Sequence, residues 1–139
     1  MITFLRGLFL VILASMLWVT TWASLQCPLF GVPRAVATHP WFIATMFDAY
    51  WGFITFFVWV ACKQTSWVAR VAWFLAIIAL GNIAMSSYCL AELFAVPRDG
   101  RLADVLTARR TGPGWLGLGL ALLGVGITVA AALHPAPAP

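Results

Sequence analysis

Charge is what this chain has least of. Only 9% of its 139 residues are Asp, Glu, Lys or Arg, against roughly 25% in an ordinary soluble domain, too few to coat a globular surface with water-compatible side chains. Cysteine is scarce as well. Cys27, Cys62 and Cys89 are an odd set with no close pair, so spacing supports neither a zinc site nor a disulfide framework. His39 and His134 stand singly at the edges of apolar segments, which speaks against a bis-histidine haem. No metal and no cofactor is therefore expected. The net charge of +4 comes from basic residues scattered between apolar segments instead of gathered in a run, a pattern that suits lipid headgroups and not nucleic acid.

What is present is apolar length. With 63% hydrophobic residues and a mean hydropathy of +0.99, burial has to be against lipid and neighbouring helices, and 139 residues leave no room for a second domain. The expectation is a single all-α membrane domain over residues 1–133: a multi-pass transmembrane four-helix bundle with spans at about 7–25, 41–62, 71–91 and 115–133, in a bacterial inner membrane. The segment at 7–25 also fits a signal peptide cut before Ser24. Its length and the bulky Trp18 and Trp22 favour an uncut span. Pro28, Gly31, Pro33 and Pro40 break the next stretch into a loop. The short link from Lys63 to Arg70 makes the second and third spans antiparallel neighbours.

Between the third and fourth spans, Arg98 to Arg110 holds four arginines with Leu102, Val105 and Leu106 at helical spacing, which predicts a short interfacial helix. Gly112-Pro113-Gly114 breaks it, and residues 134–139 form a disordered or extended Ala/Pro tail. The fourth span has no charge but places Gly117 with Ala121, and Gly126 with Ala130, four residues apart, where another helix can approach closely. Trp22, Trp41, Trp59, Trp67 and Trp115 fall at expected interfaces. Trp18, Trp51 and Trp73 are free to line a pocket. Counting basic residues for four spans puts Arg6, Lys63 and Arg70 on one side and Arg34, Arg98, Arg101, Arg109 and Arg110 on the other. Three against five leans towards both termini lying on the non-cytoplasmic side.

Asp48 is the expensive residue. It interrupts an otherwise uncharged span about 10 Å below Trp41, where a carboxylate costs on the order of 2.5–3.5 kcal/mol on insertion scales. Trp51, Gly52, Thr55 and Trp59 share its helical face. Asn82 and Ser86 share a face of the third span, and an Asp48–Asn82 contact is expected across about 4.5 Å of height. Asp48, Asn82, Trp51, Thr55 and Ser86 are thus the candidate ligand or proton site, with a plain interhelical tie as the competing reading. Glu92 is read as the end of the third span, facing headgroups or pairing with an arginine.

The block Pro40-Trp41-Phe42-Ile43-Ala44-Thr45-Met46-Phe47-Asp48-Ala49-Tyr50-Trp51-Gly52-Phe53, followed by Trp59-Val60-Ala61-Cys62-Lys63 and Leu80-Gly81-Asn82-Ile83-Ala84-Met85, resembles an uncharacterised family of small membrane proteins found in bacteria and plants. The resemblance covers roughly residues 1–95 and leaves out the basic connector and fourth span. It implies a membrane location and places Asp48 and Asn82 in the family motif, and it brings no activity. The favoured function is a non-catalytic membrane or accessory protein, whose partners are the bilayer and either further copies of itself or a larger membrane complex. A small oligomeric proton-coupled transporter using Asp48, and an intramembrane lipid or isoprenoid enzyme, are the alternatives.

Overall fold

The structure is a computed structural model describing residues 1–112 and 114–133; Pro113, His134 and the Ala/Pro tail lie outside the described residues. Among the described residues seven helices follow in order: α1 (Ile2–Gln26), α2 (Arg34–Ala37), α3 (Pro40–Lys63), α4 (Trp67–Leu80), α5 (Asn82–Phe94), α6 (Leu102–Thr107) and α7 (Trp115–Leu133). The all-α expectation holds, and no strand occurs among the described residues. Among the described residues three helices, α1, α3 and α7, are long and apolar enough to cross a membrane.

Local chemistry sets the boundaries. Pro40 occupies the first turn of α3, where a missing N–H costs nothing, and the Trp41 N–H donates to His39 Nδ1 at 3.3 Å. At the far end the chain becomes extended at Gln64, and the Ser66 hydroxyl accepts from the Ala69 N–H to start α4. Residues 64–66 are the whole connection, so α3 and α4 run antiparallel, as the short link requires.

The third expected span is not one helix. Gly81 lies at φ 53°, ψ −126°, a backbone region open essentially only to glycine, and it divides residues 71–91 between α4 and α5. The two halves fold back on each other. Trp73 and Tyr88 are fifteen residues apart, which along a straight helix would be about 22 Å, yet their ring centroids are 4.8 Å apart. Ala76, Ile77, Ala84 and Tyr88 form a common buried core. Each arm is only about 20 Å long, less than the ~30 Å of a hydrocarbon core. The tip meets α3 halfway along its length: a Cβ on Gly81 would stand 2.7 Å from Phe53 Cζ.

Around this hairpin, α7 packs in parallel against α4. Gly114 meets Ala69, Gly117 meets Trp73, and Gly124 meets Ala79 and Leu80, each so closely that a Cβ would approach within 2.8–2.9 Å. Glycine here admits the neighbouring backbone. Gly117 and Ala121 are buried on this face, whereas Gly126 borders open space and Ala130 is exposed. On the other flank α1 lies against α5, where Ile2, Leu93, Val96 and Val105 form a second core.

One end of the bundle, hereafter the base, thus collects the start of α1, the end of α3, both ends of the hairpin, α6 and the start of α7. It carries Arg6, Lys63, Arg70, Arg98, Arg101, Arg109 and Arg110, seven of the eight basic residues. Arg34 alone lies at the other end. The three-against-five division made for four spans therefore becomes seven against one between the two ends of the bundle, because the hairpin returns to the end from which it starts.

Candidate functional site at the base of the bundle

The buried charge in this protein is centred on Glu92. The helix bonding pattern leaves the last carbonyls of α5 without partners and concentrates negative potential there, so a carboxylate in its last turn is unfavourable unless cations answer it. Two do. Lys63 Nζ donates to Glu92 Oε2 at 2.6 Å, and Arg110 Nε lies 3.1 and 3.0 Å from Oε1 and Oε2. The side chains of Lys63 and Glu92 are only 3% and 4% exposed, while that of Arg110 is 33% exposed.

Lys63 is fully engaged. Besides Glu92 it donates to the carbonyl oxygen of Val105, near the end of α6, and its ammonium lies 5.0 Å from the ring centroid of Trp59, an attractive cation–π arrangement. The Trp59 indole N–H in turn donates to the Leu106 carbonyl at 3.1 Å. Arg110 is fixed through its backbone: its N–H donates to the Lys63 carbonyl at 2.8 Å and its carbonyl accepts from the Thr65 N–H at 3.1 Å. The connectors on either side of the hairpin are thereby sewn together.

Above the ions sits Tyr88, ringed edge-on by Phe56, Trp59 and Trp73. Its hydroxyl accepts from Gln64 Nε2 at 3.3 Å. Arg6 closes the other side, with Nη2 donating to the carbonyls of Leu93 and Val96 at 2.9 and 2.7 Å and its guanidinium 4.7 Å from the Phe94 ring centroid. Helix α5 has no basic residue in its own last turn. Arg6 from α1 supplies both the donors and the positive charge that its C-terminus needs.

The residues expected to form a site lie elsewhere and are not brought together. Asp48 is exposed on the half of α3 beyond the hairpin tip, and Asn82 is exposed at the tip itself. The tip stands at the height of Phe53, so Asp48 is about 7.5 Å further along α3. Among the described residues no hydrogen bond or ion pair engages the Asp48 carboxylate. Trp51 is exposed, and the Thr55 hydroxyl donates to the Trp51 carbonyl at 2.8 Å within its own helix. Ser86 is buried in α5. Of the three tryptophans free to line a pocket, Trp73 is buried and Trp18 and Trp51 are exposed.

Sequence reasoning missed the partnership of Glu92 with Lys63 because a continuous third span would put them at opposite membrane faces. The signal was Gly81, midway along that segment. Both carboxylate oxygens of Glu92 are held by cations. Among the described residues no cluster of His, Cys, Asp and Glu could hold a metal ion.

These features define an all-helical protein with three membrane-length helices surrounding a short hairpin whose two ends are locked by buried ions. By sequence the chain belongs to the family described as protein of unknown function DUF1475, which it matches over residues 2–111. The match takes in the basic connector as well as the motif blocks and stops before α7. No curated protein and no solved structure matches the chain.

Proposed function

We propose that this chain is a multi-pass protein of a bacterial inner membrane, with its N-terminus in the cytoplasm, acting as a non-catalytic accessory subunit that docks another membrane-embedded chain. The single observation carrying this reading is the contrast between the two halves of the bundle. At the base the buried Lys63 and Glu92 are paired with each other and Glu92 also with Arg110, while Arg6 Nε and Arg110 Nη2 are buried there without a hydrogen-bond partner. Beyond the tip of the hairpin, α1, α3 and α7 extend with their side chains exposed, and that is where Asp48 sits.

A carboxylate left against acyl chains is costly by a few kcal/mol, so a covering partner relieves the most unfavourable feature of the isolated chain. The membrane reading is supported by the lengths of α1, α3 and α7 and by Trp41 and Trp59, which lie 18 residues apart on α3, about 27 Å of helix and close to the bilayer core thickness. Orientation is supported by the seven-to-one distribution of basic residues, the base being cytoplasmic. A partner is either a second copy or a different subunit.

Two experiments test this. In intact cells with a permeabilised outer membrane, a membrane-impermeant maleimide should label Cys27 but reach a cysteine placed at Ala103 only after lysis; the reverse pattern overturns the orientation. A photo-crosslinking residue at Phe47 or Trp51 should give a discrete protein adduct in native membranes, and the same residue at Leu93 should not. Lipid adducts alone would overturn the accessory role. The unpaired state of Asp48 also favours a second reading, a proton-coupled transporter, in which Asp48→Asn abolishes transport in reconstituted vesicles.

A further inference from the structure

An apolar cavity of about 330 Å³ opens at the base between α1, α3, α5 and α6, walled by Leu5, Phe9, Trp59, Leu102 and Leu106 among others. Its lining is hydrocarbon, aromatic and thiol only, so it offers nothing that would hold ordered water. Its rim is different. Leu102 is preceded by Arg101 and Leu5 is followed by Arg6, while Arg98, Arg101 and Arg109 are exposed. Among the described residues no ion pair engages these three guanidinium groups, since those formed are of Lys63 and Arg110 with Glu92; the Asp104 carboxylate accepts from the Arg101 backbone N–H at 3.3 Å, and the exposed Asp99 lies between Arg98 and Arg101.

We infer that this groove is a binding site for an anionic phospholipid of the leaflet facing the base, one acyl chain lying between α1 and α6 and the phosphate held by Arg98 and Arg101. The inference rests on the membrane reading above but not on which way the chain faces. Charge complementarity selects the occupant: a dry slot for a chain, whose Leu102 wall follows directly on the exposed Arg101, with the exposed Arg98 three residues earlier in the same connector, where the amphipathic α6 would meet headgroups. Arginine suits this role because its planar fork can engage two phosphate oxygens at once.

The test uses the full chain reconstituted in nanodiscs of equimolar phosphatidylcholine and phosphatidylglycerol, then released for native mass spectrometry. The wild-type chain should retain one phosphatidylglycerol in preference to phosphatidylcholine, with each arginine contributing roughly fivefold. R101Q should lose about that factor, and R98Q/R101Q should retain both lipids equally. Leu106→Trp, on half-exposed α6, should lower retention of either lipid by filling the slot, with circular dichroism checking the fold. Equal retention of both lipids by wild type, or a preference that survives R98Q/R101Q, overturns the site while leaving the membrane reading intact. Failure of the chain to enter nanodiscs at all overturns both.

Discussion

Replacing Glu92 by glutamine keeps its shape and removes its charge, leaving Lys63 and Arg110 facing each other without an anion. Lys63 cannot reach water, being 3% exposed, whereas Arg110 can. Stranding a buried charge by deleting its partner costs about 3–5 kcal/mol, and Lys63 is the group stranded. The informative variant is therefore the double one. In E92Q/K63M no buried charge remains, Arg110 turns to solvent, and the residual loss is the Val105 carbonyl without its donor, about 1–3 kcal/mol. E92Q/K63M should accordingly be more stable than E92Q by roughly 2 kcal/mol, a rescue by a second lesion. Unfolding in mixed detergent micelles, followed by tryptophan fluorescence, measures all four corners of the cycle, because Trp59 and Trp73 border the cluster. Additive losses, or a double variant weaker than E92Q, would refute the buried-ion reasoning.

Gly81→Ala combines a disallowed backbone region, worth about 1–3 kcal/mol, with a clash against Phe53, and should destabilise by at least about 2 kcal/mol in the same assay; a loss below 0.5 kcal/mol would mean that the hairpin does not form. Arg6→Gln should cost about 2 kcal/mol through the lost charge-assisted bonds to Leu93 and Val96, with Arg6→Lys recovering only part because an ammonium cannot match the guanidinium plane stacked on Phe94. Asp48→Asn touches nothing in the isolated chain and should leave its stability within about 0.5 kcal/mol, so any loss of cross-linked product in membranes reports on a partner. A fall in stability of the purified monomer would instead mean that Asp48 is held within the bundle.

Helix positions were legible wherever hydropathy and punctuation coincide. The end of α1, both limits of α3 and the start of α7 follow from apolar runs bounded by Cys27, Pro40, Lys63 and the glycines before Trp115, whereas α1 begins at Ile2, five residues before the expected start, and carries Arg6 inside the helix; α6 follows from the spacing of Leu102, Val105 and Leu106. The hairpin was not legible, because hydropathy averages over Gly81 and sees one span of sufficient length. Periodicity reports which residues are apolar; it does not report a reversal of direction that depends on one positive φ. The misplacement of Glu92 descends from that. An unbroken third span lifts Glu92 away from Lys63, carries the residues after Asn82 past the level of Asp48, and makes the costliest carboxylate look like the buried one. The helix-packing stripe was legible in part: Gly117 and Ala121 lie against α4, and the face continues through Gly124, a spacing of three that a search for small residues four apart passes over.

A single glycine also decides how the chain faces the membrane in the proposed reading. With α4 and α5 returning to the base, the crossings number three, so the termini part to opposite sides and the arginines between α5 and α7 rejoin Arg6 and Lys63. The weak bias of a four-span reading then becomes a steep one, and its sign reverses for the N-terminus. The same reversal explains why so much charge can be buried in so apolar a chain. In the proposed reading Lys63, Glu92 and Arg110 occupy the layer where the hairpin's open end meets the bilayer surface, and the Val105 carbonyl near the end of α6 is available there to accept from Lys63. Moved one hairpin length deeper, at the level of Gly81, the same triad would lose that carbonyl and the route of Arg110 to water, and its desolvation would outweigh its attraction.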